Sequence, residues 1–259
     1  MRCTKCGHQT DGGKFCENCG ASLSAEHDGG QPAGEAAQAK QYVDAAKKAS
    51  SMYFSFFVRV MKRPYAETKK AGEEHMLSSI ITMVIFALTV PLMFYFSLKS
   101  FYASMGTYSG IFGGTGVMPG FFDIVVKPAF TFAIYIFLLF VFTYAGVRIQ
   151  GVQASFKEVM GRFGAALIPF TALLLCALLL SLLKTDLFLY LVFFAFCGIA
   201  FLIPPAVLFS YREKAAGSID FIYTTLLVYL ATFIAVRIMG NLFLEYVRDI
   251  LRSLLGSLF

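Results

Sequence analysis

The sequence predicts an all-α membrane protein, a bundle of five transmembrane helices behind a small N-terminal head. Three observations predict it: the composition, five long apolar runs, and four cysteines in the first twenty residues. Of 259 residues, 58% are hydrophobic and only 15% charged, with a mean hydropathy of +0.68. Soluble domains sit near 45–50% apolar and about 25% charged. That balance excludes a soluble cytosolic enzyme, a disordered chain and a disulfide-rich secreted module.

The head comes first. Cys3-x-x-Cys6 and Cys16-x-x-Cys19 form two knuckles, each followed by a glycine, Gly7 and Gly20. A Cys-x-x-Cys turn aims two thiolates at one metal, and Zn²⁺ takes four such ligands in a tetrahedron. The glycines suit tight turns beside the metal. The segment from His8 to Phe15 has room for a short hairpin and not for a helix. So small a unit has no core of its own, and one structural zinc would supply its folding energy. Cys3, Cys6, Cys16 and Cys19 are the expected ligands, and His8 is read as a loop residue. A redox dithiol pair would need a surrounding βαβ domain. The fold class is thus an all-α polytopic membrane bundle with a small N-terminal zinc ribbon, the ribbon spanning residues 1–23.

A linker occupies 24–40, rich in Gly, Ala, Glu, Gln and Ser with Pro32. As a coil it would span roughly 20–25 Å. Residues 41–76 form cytoplasmic amphipathic and juxtamembrane helices. Tyr42, Ala46, Ala49, Tyr53, Phe56, Phe57 and Val60 recur at three- and four-residue spacing, flanked by Lys47, Lys48, Arg59, Lys62 and Arg63. Such a helix suits the lipid headgroup region, or packs on the bundle. Anionic lipid would favour it by about 1 kcal/mol per nearby cation. Pro64 ends it.

Five segments follow, about 77–98, 128–147, 163–183, 187–209 and 219–239. Each has about 20 residues, the length that crosses a hydrocarbon core of about 30 Å. Charge orients them. With the head inside, the inner segments hold 16 Lys/Arg, including Arg148, Lys157 and Arg162, against 5 outside. The positive-inside rule then places the N-terminus in the cytoplasm and the C-terminus outside. The N-terminus has no apolar signal region, so the first span is expected to insert the chain. Spans three and four share a short turn, Lys184 to Asp186, and should form a hairpin. The outer loop from Ser100 to Val126 is Gly-rich and reads as a pliant connection. Residues 240–259 read as a C-terminal interfacial amphipathic helix after a break at Gly240 and Asn241.

Polar groups within the spans are few. Asp220 and Arg237 both lie on the fifth span and, as ionisable groups there, are its functional candidates; Asp220 at the inner edge and Arg237 near the outer end are read as interfacial residues. Pro91, Pro169, Pro204 and Pro205 are expected to interrupt spans one, three and four, either as packing devices or to shape a cavity. Cys176 and Cys197 read as small core residues. His8, His27 and His75 lie outside the spans, and neither a Gly-x-Ser-x-Gly, a His-Glu-x-x-His nor a P-loop motif occurs. The pI of about 9.0 reflects the basic loops, with no basic stripe interleaved with aromatics, so nucleic acid is not an expected partner.

The head resembles the short zinc ribbons at the N-termini of many bacterial proteins, in the pattern Phe15-Cys16-Glu17-Asn18-Cys19-Gly20. The membrane part is similar to the Yip-type domain. Ser155-Phe156-Lys157-Glu158, then Gly164-Ala165-Ala166-Leu167-Ile168-Pro169 entering span three, carry that likeness over about 50–240. The combination looks like uncharacterised zinc-ribbon membrane proteins of Gram-positive bacteria. The resemblance implies zinc, a docking surface and a membrane adaptor in the bacterial cell membrane, with membrane lipid and a protein bound by the ribbon as partners. The alternative is a small transporter or lipid-handling protein with a regulatory ribbon.

Overall fold

The computed structural model describes residues 8–9, 17–19, 33–106, 120–183, 185, 187–215 and 219–255. Two compact units are distinguished, Met1–Ser51 and Met52–Phe259. In the first, Cys3, Cys6 and Cys16 lie outside the described residues. Gln9 forms an isolated bridge, and Cys19 is exposed in a turn over 17–19. Helix α1 covers Ala33–Lys62. It begins inside the stretch read as linker, where Ala, Glu, Gln and Lys are all good helix formers. It ends before Pro64, whose ring opens α2 (Pro64–Lys70) at a position that needs no N–H.

The second unit holds the bundle. A 3₁₀ turn, Glu73–His75, leads into α3 (Met76–Gly106). A π-turn, Phe122–Val126, leads into α4 (Lys127–Ile149). Then come α5 (Phe156–Leu182), α6 (Leu187–Phe201), α7 (Ile203–Ser210) and α8 (Phe221–Leu255). Five helical segments are long and apolar enough to cross a membrane: Glu73–Ser100, Phe122–Ile149, Phe156–Leu182, Leu187–Ser210 and Phe221–Asn241. These match the five expected spans. Loop residues 107–119 and the turn residues 184 and 186 lie outside the described residues.

Several boundaries differ from the sequence reading, each for a local reason. The third span starts at Phe156 because Ser155 caps it, its hydroxyl accepting from the Glu158 N–H at 3.1 Å. Pro91 and Pro169 sit inside unbroken helices. Only the Pro204–Pro205 pair divides a span, into α6 and α7. Gly240 and Asn241 do not break α8, since neither removes a backbone donor as proline does. Part of the expected outer loop is helical, because α3 continues to Gly106 and the π-turn covers 122–126. Cys176 is exposed on α5 and Cys197 half-buried on α6, so the former is not a core residue.

The centre of the bundle is the α3–α5 contact, with α6 on α5 and α8 on α4. Phe86, Phe140, Phe163, Leu167 and Leu174 are fully buried in its core. Glycines bring backbones together at two of these contacts. A Cβ on Gly146 of α4 would lie 2.8 Å from Val228 of α8, and one on Gly198 of α6 would lie 2.0 Å from the Phe170 ring of α5. The α4–α5 turn needs a left-handed residue, supplied by Gly151 at φ 76°. Buried threonines do not leave orphan hydroxyls. Thr82, Thr89, Thr143, Thr171, Thr225 and Thr232 each donate to the carbonyl four residues back. At α1, Phe56 and Val60 pack on Ala71, Ala165 and Ile168, while Met52, Phe54 and Met61 stay exposed. Phe56 and Val60 thus dock the part of α1 after Ser51 on the bundle, and other apolar side chains of that part stay exposed.

Candidate functional site

The densest polar construction lies where α2, the 3₁₀ turn, the start of α5 and the end of α7 meet. Its centre is Arg162. Read from sequence as an inner-loop cation, it is inside α5 and only 6% exposed. The cap explains this. Ser155 fixes the helix start, so Glu158 falls in the first turn and Arg162 one turn later. An acidic residue in the first turn favours the helix dipole, and the i,i+4 spacing presents it to the arginine.

The guanidinium is engaged on three sides. Nη1 donates to the Ser210 carbonyl at 2.8 Å and lies 3.0 Å from the Ser210 hydroxyl. Nη2 pairs with Glu158 at 3.1 Å. The plane lies 3.8 Å from the centroid of the Tyr211 ring. A cation at the end of α7 is favoured by the partial negative charge of the exposed carbonyls there. The flat guanidinium also permits stacking that a lysine would not reproduce. Glu158 is shared with Lys214 at 3.6 Å.

Tyr211 is fully buried. Burial pushes its phenol well above the ordinary tyrosine range, opposed by the neighbouring Arg162. The ring therefore stays neutral under the cation. Glu158 lies near enough to oppose its ionisation, but not in hydrogen-bonding geometry.

Two glycines make the approach possible. A Cβ on Gly161 would fall 2.2 Å from the Gly72 carbonyl oxygen. One on Gly164 would fall 2.1 Å from Ser79 Oγ and 2.5 Å from Ser79 Cα. Ser79 donates to the His75 carbonyl at 3.0 Å, and Glu73 accepts from the Ser155 hydroxyl at 2.5 Å. The His75 ring packs on Phe56 with centroids 4.2 Å apart. Around this knot runs an exposed rim with ion pairs Lys69–Glu213 at 2.7 Å and Arg59–Glu67 at 3.6 Å. Lys69 holds the Glu213 carboxyl below the usual carboxylate range, and Glu213 raises the lysine in turn. Further exposed cations are Lys62, Arg63, Lys157 and Arg212.

This arrangement holds four chain segments in register and presents a basic rim. Of the zinc ligands expected from sequence, only Cys19 falls among the described residues, and Cys3, Cys6 and Cys16 lie outside them. Asp220 caps α8, its Oδ1 accepting from the Ile222 N–H at 2.8 Å, and Arg237 is exposed on α8. Sequence reasoning missed Arg162, Ser210 and Tyr211. The Ser155-x-x-Glu158 cap signal was the available clue to Arg162.

Residues 44–249 match the family model described as a domain of unknown function (DUF6574). The chain is also similar to an uncharacterized protein of Bacillus subtilis (strain 168), YvbI. The two are 40% identical over 255 residues, which is 98% of this chain and 100% of the relative. No solved structure matches it. The match covers α1 from Asp44 on, all five apolar helices and the Arg162 knot, and on that extent the chain belongs to the DUF6574 family.

Proposed function

We propose that the protein is a non-enzymatic integral membrane adaptor or scaffold. Its ribbon binds one structural zinc through Cys3, Cys6, Cys16 and Cys19 and docks a cytoplasmic protein. The bundle anchors that head in the bacterial cell membrane, head inside and C-terminus outside. The observation that carries this reading is the pair of Cys-x-x-Cys knuckles in the sequence ahead of five helices long and apolar enough to cross a membrane. A closed four-thiolate site has no open position for catalysis, so docking is the role left to it. The basic rim and the apolar face of α1 suit an anionic leaflet, which supports the inside assignment.

The test compares wild type with Cys16→Ser/Cys19→Ser in native membranes. Wild type is expected to carry one zinc per chain by elemental analysis. The variant is expected to lose the metal, to lose the proteins cross-linked to the head, and to keep the thermal melt of the bundle. An identical cross-linked set from both proteins would end the adaptor reading. A wild-type protein without zinc would end the ribbon reading. Thiol labelling of cysteines placed at 28 and 257 from either side of intact cells checks the orientation.

A further inference from the structure

The half of the bundle away from α2 contains a cavity of about 540 Å³. Four of the apolar helices wall it, with Phe94 from α3, Phe132 from α4, Phe196 and Phe201 from α6, and Tyr229 and Phe233 from α8. Among the described residues, none that lines it is charged. Two of its polar side chains are turned to backbone. The Thr232 hydroxyl donates to the Val228 carbonyl at 2.7 Å, and the Tyr229 hydroxyl to the Phe201 carbonyl at 2.6 Å. Helices α6 and α8 touch only sparsely. Phe193 and Phe233, on the wall between them, are 64% and 68% exposed. The cavity therefore opens sideways, through the surface that these apolar helices present to a bilayer.

We propose that this cavity is a binding site for one hydrocarbon chain of a membrane lipid, entering between α6 and α8. The size lies within the range of ligand pockets, roughly 300–1,000 Å³. Water is a poor occupant, because it needs two to four polar partners and, apart from the Thr131 and Tyr135 hydroxyls, the walls are almost wholly rings and aliphatic carbons. An empty space would forfeit dispersion contacts along every ring. A flexible methylene chain matches both the wall chemistry and the medium at the opening. The site is independent of the adaptor reading, since no residue of the head takes part.

The chain has no tryptophan, so a single Phe196→Trp reporter is read without background. The full-length protein in detergent is titrated with phosphatidylglycerol carrying a dibrominated stearoyl chain. The expected result is quenching that saturates at one lipid per chain. A Phe130→Trp reporter, on an α4 face 67% exposed, should instead quench gradually with no plateau. Two substitutions then fill the cavity in the Phe196→Trp background. Ala200→Phe adds a ring to the wall. Gly240→Leu is the gentler one, because a Cβ there meets no atom within 4 Å. Both should abolish the plateau while the thermal melt stays as in the parent. The proposal is overturned by an unquenched Phe196→Trp reporter, as when another part of the chain fills the cavity. It is equally overturned by matching gradual curves at the two reporter positions, or by a plateau that survives both filling substitutions in folded protein.

Discussion

The two halves of the bundle are built on opposite plans. At the α2 end, α5 is enclosed on every side from Val159 to Ile168. Glycines let backbones touch there, and an arginine is tied to two side chains and a carbonyl. In the other half the rings are large, α6 and α8 stand apart, and a cavity remains. Small residues and the two hydrogen-bonded Nη atoms of Arg162 fix position there, although Arg162 Nε and the Tyr211 hydroxyl are buried without a hydrogen-bond partner. Aromatic walls of similar size leave several arrangements open, which suits a surface that must accept a guest. One half holds the segments in register, and the other is where the bundle can adapt.

The comparison breaks first at Gly164. Gly164→Leu would drive its side chain into the Ser79 backbone, and overpacking of that kind costs more than about 3 kcal/mol where nothing can yield. A far-UV thermal melt in detergent should show a large loss. An unchanged melt would mean that the α3–α5 contact is looser than the structure has it. Next is Arg162→Met, which strips the Ser210 carbonyl of its partner and leaves Glu158 to Lys214. Charged hydrogen bonds of this sort contribute about 1.5–3 kcal/mol, so the expected loss is about 2 kcal/mol. Arg162→Lys should recover little of it, since an ammonium cannot stack and fork together.

A smaller effect tests the other half. Tyr229→Phe would orphan the Phe201 carbonyl, at an expected cost of about 1–2 kcal/mol. A melt as stable as wild type would show that water or lipid already serves that carbonyl. The smallest effect is at the rim. Lys69→Met should leave the melt unchanged, as exposed pairs generally do. It should still raise the Glu213 titration seen by carboxyl NMR, because Lys69 is what holds that group low. The sign follows. The pair is at full strength above the ordinary carboxylate range and weakens as pH falls through the lowered Glu213 value. Lys69, raised by the same contact, loses its share only as pH rises through its own raised value.

The spans were legible because each is a long run with no competing pattern. Hydropathy carries that signal without regard to neighbours. The knot was not. Arg162 looked like a loop cation because the apolar run begins at Phe163, and the Ser155 cap that pulls it inside the helix was read only as part of a family likeness. Its partners Ser210 and Tyr211 lie 48 and 49 positions away, beyond any local pattern. The prolines misled in the other direction. All four look alike in sequence, yet Pro91 and Pro169 are absorbed by enclosing helices, while two in succession at Pro204 and Pro205 break the span. Sequence places Cys176 in the core because small sulfur side chains are usually buried, but the outer face of an apolar helix accepts one too.

The hydrogen bond from Tyr229 to Phe201 carries a consequence for biogenesis. In an unbroken helix the Phe201 carbonyl would accept from the residue four places on, which is Pro205 and has no N–H. The donor that replaces it stands on α8, and α8 is the last of the five apolar helices to leave the ribosome. Until then the fourth span carries an open acceptor in a medium that supplies no donors. The nascent bundle is therefore incomplete at its fourth helix until its fifth arrives, and a chain truncated before Phe221 should be retained by insertion factors and cleared by membrane proteases.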